Sequence, residues 1–132
     1  SPADEMTFAK ADSWMDWSLT TIYNDIIGTC FLQLIRTPAN ERNVTAVDQA
    51  AKRAGEKLGI LNQQLHGRHF IVGDQITTAD IAVGALMYRY FNLPLQRPKL
   101  ANVEAWYQRL TQRPAYQTHV MVDFQSMKVP GA

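Results

Sequence analysis

The sequence predicts an all-α fold, a five-helix bundle that forms a single domain. Apolar residues recur at helical spacings of three and four along most of the chain, and no stretch alternates apolar and polar residues as a strand would. With 132 residues, 46% of them hydrophobic and 19% charged, the chain is long and apolar enough to bury one core.

The net charge, the absence of a long apolar run and the single cysteine indicate which partners and which cellular compartment to expect. The formal net charge is +1, which gives no basic footprint for nucleic acid. No apolar run approaches the roughly 20 residues that span a bilayer, so no membrane partner is expected. One cysteine, Cys30, excludes an internal disulfide and suits a reducing compartment, so we expect a cytoplasmic protein.

The first helix is predicted from Met6 to Arg36, because the residue before Pro38 avoids the helical region. Its apolar residues cover more than one stripe, so the helix must bury one face in its own core and another against something else. They are Trp14, Met15, Trp17, Leu19, Ile22, Tyr23, Ile26, Ile27, Cys30, Phe31, Leu34 and Ile35.

The second helix is predicted from a seam of apolar residues at alternating steps of three and four. Asn43 is the expected N-cap, and Gly67 is the expected stop. The seam contains Val44, Val47, Ala51, Ala54, Leu58, Leu61 and Leu65.

The third helix has the clearest start in the chain. It comes after a short extended piece at 70–72, and Thr77 with Asp80 three residues later forms a predicted capping box. We expect these two residues to be structural rather than chemical. The helix is apolar on nearly every side up to Asn92, which predicts a central, buried position.

Two shorter helices complete the predicted bundle. Val103, Trp106 and Leu110 give the fourth its spacing, and Pro114 fits the first turn of a fifth that runs through Val120. The tail from Asp123 to Ala132 has no period and is expected to be loose.

Several motifs in this order resemble the C-terminal helical domain of cytosolic glutathione transferases, in their common bacterial form. The stretch from Gly73 to Ala82 is the most specific of them. The motifs are Trp14-Met15-Asp16-Trp17, Arg36-Thr37-Pro38, Phe70-Ile71-Val72-Gly73-Asp74, Thr77-Thr78-Ala79-Asp80-Ile81-Ala82, Ala105-Trp106-Tyr107 and Arg113-Pro114-Ala115-Tyr116.

The resemblance implies a protein that conjugates glutathione to hydrophobic electrophiles, a detoxification chemistry, or that reduces a small disulfide or peroxide. In that family a thioredoxin-like domain precedes the helices and holds glutathione, the expected co-substrate. Here Ser1-Pro2-Ala3-Asp4 resembles the linker before the first helix. The chain is therefore expected to lack that domain, to bind no cofactor and to contain no catalytic residue, so that alone it is inactive.

The resemblance also places the wall of a hydrophobic-substrate pocket on the first helix. Tyr23 is the main candidate, and simple core or domain packing is the alternative interpretation. The other candidates on this helix are Thr20, Asn24, Ile27 and Phe31. Arg89, the only charge within the third helix apart from its capping Asp80, is a further candidate that would pair with an anionic group, and a structural ion pair is its alternative.

A two-fold dimer interface is the third implication of the resemblance. It would join the first helix, through Trp14 and Trp17, to the alanine-rich second helix, through Ala51 and Ala54. An aromatic stripe at helical spacing is more often core, which is the competing interpretation. Cys30 is expected in the core, and His66 with His69 lacks the further ligands of a zinc site, so no metal is expected.

Two other functions stay open at the level of sequence. Helical domains of this type also occur as non-catalytic interaction modules in translation-factor assemblies. The third possibility is a plain helical bundle with a coincidental likeness to the family. Sequence upstream of Ser1 that encodes a thioredoxin-like segment would favour the enzyme over both.

Overall fold

The computed structural model describes all residues, 1–132, and contains helices and no strand. Six α-helical segments are present, and the first two are joined by π-helical turns into one rod. The bundle therefore has the five helices that the sequence predicts. They are α1 (residues 2–35), α2 (Val44–Gln64), α3 (Thr78–Asn92), α4 (Ala101–Thr111) and α5 (Pro114–His119).

Helix α1 begins earlier than the sequence interpretation placed it. The start at Met6 and the linker interpretation of the first four residues were wrong, because Ser1 is the N-cap and Pro2 occupies the first turn. The Ser1 hydroxyl accepts the Asp4 amide N–H at 3.3 Å, and the Asp4 side chain returns to the Ser1 backbone. This capping box starts a helix whose first nine residues are all exposed.

The middle of α1 is π-helical. Regular α-helix spans Pro2–Trp17, π-helical turns occupy Ser18–Ile22 and Asn24–Phe31, and a final α-turn covers Leu32–Ile35. At the change, the Ser18 hydroxyl donates to the Met15 carbonyl at 2.7 Å and the Thr20 hydroxyl donates to the Asp16 carbonyl at 2.9 Å. Hydroxyl groups that bond back to the preceding turn compete with the backbone ladder and favour such a change.

Helix α2 packs mainly against this π-helical part of α1. Asn43 caps α2 as predicted, accepting the Ala46 amide at 3.0 Å. The carboxylate of Asp25, which is 4% exposed, accepts hydrogen bonds from Arg53 at 3.0 Å and from Lys57 at 3.3 Å. This buried carboxylate fixes the contact between the two helices, and pattern reasoning did not find it.

Helix α3 starts at the predicted capping box and runs through the core. Thr77 accepts the Ala79 amide at 3.2 Å, and Asp80 accepts the Thr77 amide at 2.8 Å. The other Asp80 oxygen accepts the indole N–H of Trp106 at 2.8 Å, so the same carboxylate connects α3 to α4. Helix α5 closes the bundle where the Tyr116 hydroxyl donates to the Gly84 carbonyl at 2.7 Å.

The C-terminal segment is packed, and the expectation of a loose tail was wrong. Phe124 is 3% exposed and contacts the Phe31 ring edge to face at 5.5 Å. The Val129 amide donates to the Ile35 carbonyl at 3.0 Å, which satisfies an acceptor at the end of α1. The segment shows no hydrophobic periodicity because it is held by one aromatic ring and a few backbone hydrogen bonds rather than by an apolar helix face. The sequence analysis therefore took it for a loose tail. None of the helices has the length and apolar content needed to cross a membrane.

Candidate functional site

A groove between α1 and α3 is the main concave apolar feature of the molecule. Its volume is about 420 Å³, within the size range of small-molecule sites. Seven of its nine lining residues are hydrophobic. The lining consists of Met15, Ser18, Leu19, Tyr23, Ile27, Ala82, Ala85, Leu86 and Arg89.

Each helix presents its lining residues on one face. On α1 the lining residues Leu19, Tyr23 and Ile27 are four apart, and residues four apart lie on the same side of a helix. On α3 the lining has steps of three and four from Ala82 to Arg89. Each helix therefore provides one wall of the groove.

Three of the six predicted substrate-binding residues lie in this groove. Tyr23 and Ile27 line it from α1, and Arg89 lines it from α3. Tyr23 is 43% exposed and Leu19 is 61% exposed, so an apolar part of the wall faces solvent in this chain.

The other three predicted residues lie elsewhere. Thr20 is exposed, and its hydroxyl is already bonded to the Asp16 carbonyl of its own helix. Asn24 is exposed and does not line the groove. Phe31 is 3% exposed, within a second core cluster. Helical spacing from Tyr23 was the reason for including Thr20 and Phe31, and the amide of Asn24 was included as a polar contact. Thr20 and Asn24 lie on the exposed side of α1, and Phe31 is buried in the core, so none of them lines the groove.

The small residues of α3 are the part of the groove that sequence reasoning missed. Ala82 and Ala85 leave the space between the helices that Leu86 and Met15 border. The available signal was their small size on a helix whose other apolar side chains are mostly large. The sequence analysis treated both alanines as ordinary core residues, so it did not distinguish a residue that lines a groove from a buried one.

Arg89 does not form the ion pair that was the alternative interpretation. No carboxylate oxygen lies within 4.0 Å of its guanidinium, and the guanidinium donates no hydrogen bond to another protein group. It lies instead over the Phe31 ring at 4.6 Å and near the Phe124 ring at 5.8 Å, two cation–π contacts.

The predicted dimer residues separate into two groups. Ala51 is 4% exposed and Ala54 is fully buried, so their side chains are not available to a second subunit. Their small size serves helix packing inside the chain, and the interface expectation for these two residues was wrong. Trp14 and Trp17 are half-buried and contact each other edge to face at 5.2 Å.

The cysteine and the three tyrosines whose pKa values are shifted are not activated nucleophiles, because every one of these shifts is upward. Burial raises the pKa of the Cys30 thiol to about 11, with a further contribution from the Asp25 carboxylate, so the thiolate is scarce at neutral pH. Burial likewise raises the pKa of Tyr90 to about 12 and raises the pKa values of Tyr107 and Tyr116. No three His, Cys, Asp or Glu side chains converge as metal ligands would.

Comparison with known proteins places this geometry in a family. The family model for the glutathione S-transferase C-terminal domain matches residues 12–114. Glutathione S-transferase GstB of Escherichia coli is 35% identical over 114 residues, which cover 86% of this chain and 54% of that protein. The chain belongs to the glutathione S-transferase family. It corresponds to the C-terminal helical domain, as the motifs predicted.

Solved structures agree with this assignment. The theta class glutathione S-transferase from Xanthomonas axonopodis pv. citri, solved with glutathione bound, superposes with a TM-score of 0.83 at 34% identity, covering 93% of this chain and 63% of that one. Bombyx mori glutathione transferase BmGSTD1 shares the fold with a TM-score of 0.72 at 21% identity, covering 92% of this chain and 55% of that one. The chain spans about half the length of the first curated relatives that it matches.

A second kind of relative is also similar to the chain. Elongation factor 1-gamma of Danio rerio is 34% identical over 79 residues, which cover 58% of this chain and 18% of that protein. The helical domain is thus similar to parts of two differently named groups of proteins.

Proposed function

We propose that the protein to which this chain belongs joins the thiol of glutathione to hydrophobic electrophiles, and that this chain provides the wall that binds the electrophile. The observation that carries the proposal is the apolar groove between α1 and α3, within a domain of the glutathione S-transferase family. Its volume of about 420 Å³ suits a small aromatic or aliphatic molecule.

The reaction divides between two domains in this proposal. A thioredoxin-like domain binds glutathione and stabilises its thiolate. The sulfur forms a bond to an electrophilic carbon, whose leaving group departs with the electron pair. The groove contributes by holding that carbon in place and by excluding water from the apolar part of the substrate.

No residue of this chain takes a proton or attacks a substrate in this mechanism. Cys30 lies outside the groove, is fully buried and has a raised pKa. The only nucleophilic groups that line the groove are the hydroxyl groups of Tyr23 and Ser18. The chain alone is therefore proposed to be inactive and to bind glutathione weakly or not at all.

The exposed apolar surface supports two further partners. Tyr23 and Leu19 are available for contact with the thioredoxin-like domain, and Phe8, which is 70% exposed on the first turns of α1, is available for a twin subunit. We include a homodimer through α1, with Trp14 and Trp17 at its half-buried edge. Sedimentation of the whole protein tests this, and a monomer at micromolar concentration would contradict it.

The proposal places the protein in the cytoplasm. Conjugation consumes the free thiol of glutathione, which the reducing glutathione pool of the cytosol supplies.

A non-catalytic interaction module is the second candidate function, favoured by the likeness to elongation factor 1-gamma. In that case helix-face packing is the whole role, and the groove contributes only shape. The two candidates predict different activities for a variant in which the groove is filled.

The deciding experiment fills the groove in the protein joined to a glutathione-binding thioredoxin-like domain. Ala85→Trp places an indole in the groove from an exposed lining position. We expect the kcat/KM for an apolar electrophile such as 1-chloro-2,4-dinitrobenzene to fall at least about tenfold, which corresponds to about 1.4 kcal/mol of transition-state binding. The KM for glutathione should change little.

Ala105→Trp is the matched control, because Ala105 is exposed on α4 and lies outside the groove. It should leave both constants close to those of the unaltered protein. Equal conjugation by the Ala85 variant and the unaltered protein would contradict the role given to the groove. No conjugation by either protein would overturn the enzymatic proposal and favour the interaction module.

A further inference from the structure

We propose that a second groove, at the C-terminal end of α3, binds an organic ammonium ion with an apolar body. This groove is lined by the end of α3, one face of α4 and Met121, and its volume is about 440 Å³. It shares no lining residue with the groove between α1 and α3. The inference therefore concerns a different surface and a different ligand from those of the proposed function.

The first support is the charge of this second groove. Glu104 is the only charged residue among the seven that line it, and the other polar lining residues are Asn92, Tyr107, Gln108 and Thr111. Burial raises the pKa of the Tyr107 phenol, so this group also stays neutral at physiological pH. A single carboxylate in an otherwise neutral groove favours a ligand with a positive charge.

The second support is that this carboxylate lacks a hydrogen bond that a buried acceptor needs. The Oε2 atom of Glu104 is buried and accepts no hydrogen bond from the protein. The buried carboxylates of Asp25 and Asp80, in contrast, accept hydrogen bonds on both oxygens. An acceptor that is buried without a donor is unfavourable, and a ligand that donates to it removes that cost on binding.

One positive charge of the chain already lies near Glu104. The Lys99 ammonium is 3.1 Å from Oε2 but does not have the geometry of a hydrogen bond, and the Lys99 side chain is 79% exposed. Such an exposed ion pair contributes little to stability, because water solvates the ammonium almost as well when the pair separates. A ligand can therefore displace Lys99, which makes Lys99 a competitor for the carboxylate.

The third support is a pair of aromatic rings in the same groove. The centres of the Phe91 and Tyr107 rings are 4.6 Å apart, and both residues line the groove. Aromatic rings attract cations to their faces and pack against apolar groups. Phe91 already makes one such contact, since the guanidinium carbon of Arg97 lies 5.8 Å from its centre. Arg97 is not a lining residue and is held outside by hydrogen bonds to backbone carbonyls.

The test compares two probes that have the same apolar body and differ in charge. 2-Phenylethylammonium carries the cation, and 2-phenylethanol has a hydroxyl group in its place. We expect the 132-residue chain to bind the ammonium at least about tenfold more tightly, with a preference that weakens as salt rises. Saturable amide NMR shifts are expected at lining positions such as Phe91, Gln108 and Thr111.

Glu104→Gln removes the charge and nearly preserves the shape of the side chain. It should lower the affinity for 2-phenylethylammonium at least about tenfold and leave that for 2-phenylethanol within about twofold. Glu56→Gln is the matched control, because Glu56 is exposed on α2 and lies outside the groove. Both affinities should be unchanged in that control.

Lys99→Met tests the competition, and it remains informative if the Glu104 variant does not fold. Because it removes the competing ammonium, the affinity for 2-phenylethylammonium should rise about twofold to fivefold. A purely structural role of Glu104 would not produce this increase. Lys52→Met removes the same charge from an exposed position on α2 outside the groove and should leave the affinity unchanged.

Three results would overturn the ammonium site. They are equal affinity of the unaltered chain for the two probes, an unchanged affinity in the Glu104→Gln variant, and NMR shifts confined to the groove between α1 and α3. An affinity that stays the same or falls in Lys99→Met would contradict the competition. None of these measurements reports on conjugation of an electrophile, so failure of this inference is distinguishable from failure of the proposed function.

Discussion

Asp80 shows how much one side chain contributes to this domain. It is fully buried, and its two oxygens accept four hydrogen bonds, from the amide and the hydroxyl of Thr77, the amide of Ile71 and the indole of Trp106. The carboxylate therefore caps α3, holds the preceding loop and fixes α4 at the same time.

We expect Asp80→Ala to lower the free energy of unfolding by about 3 kcal/mol, more than the roughly 1 kcal/mol of an ordinary cap. The excess arises because the Trp106 and Ile71 N–H groups lose their acceptor inside the core. Asp80→Asn retains one acceptor oxygen and should lose less. Urea denaturation measures the difference.

Asp74→Ala is the control for this prediction, since Asp74 lies in the same loop with its side chain 82% exposed. It should change the stability by less than about 0.5 kcal/mol. Equal stability of the Asp80→Ala variant and the unaltered chain would contradict the structural role given to Asp80.

At this scale the sequence predicts local chemistry better than distant contacts. The Thr77 and Asp80 pair is predicted by a three-residue spacing, and the buried position of Cys30 is predicted by its apolar neighbours. The contact of Asp80 with Trp106, 26 residues away, and that of Asp25 with Arg53 and Lys57 have no local pattern. They depend on how helices pack, which spacing along one helix does not contain.

At the scale of the helices, periodicity again predicts only part of the structure. All five were predicted from periodicity and caps, yet the π-helical turns of α1 were not, because apolar residues cover that helix so widely that they fit either register. Leu19, Tyr23 and Ile27, which line the groove, lie on this part of the helix. The wrong start of α1 has another cause, since Ser1-Pro2 is equally compatible with a linker and with a capped first turn.

Close packing of α3 against α4 and α5 gives a prediction at the scale of elements. A Cβ at Gly84 would lie 2.8 Å from the Leu110 side chain and 3.1 Å from the Tyr116 ring, both of which are fully buried. Gly84→Ala should therefore destabilise the domain by about 1 to 2 kcal/mol, because overpacking outweighs the gain in helix propensity.

Gly59→Ala in α2 is the matched control, since a Cβ there meets nothing within 4 Å. It should stabilise the domain by about 0.5 to 1 kcal/mol. Thermal melts of both variants measure the pair, and a shift of the same sign in the two would contradict the packing described here.

The whole molecule is defined by what its first long helix leaves uncovered. Leu19, Tyr23 and Phe8 remain exposed on α1, so this helix is not enclosed within the chain. The excess of apolar residues predicts that uncovered face, and its use as a substrate wall, which the family motifs imply, stays a prediction. The position of the groove required the structure, because it depends on the small residues of α3 that face the π-helical turns of α1.

An amide NMR titration of the 132-residue chain with neutral 1-anilinonaphthalene is the sharpest test of the groove as a binding site, with glutathione titrated separately. We expect saturable shifts confined to the groove, at positions such as Leu19, Ile27 and Ala85, and no saturable response to glutathione at millimolar concentration. Shifts on another face of the bundle, or sub-millimolar binding of glutathione by the chain alone, would contradict the assignment of this domain as the electrophile-binding wall.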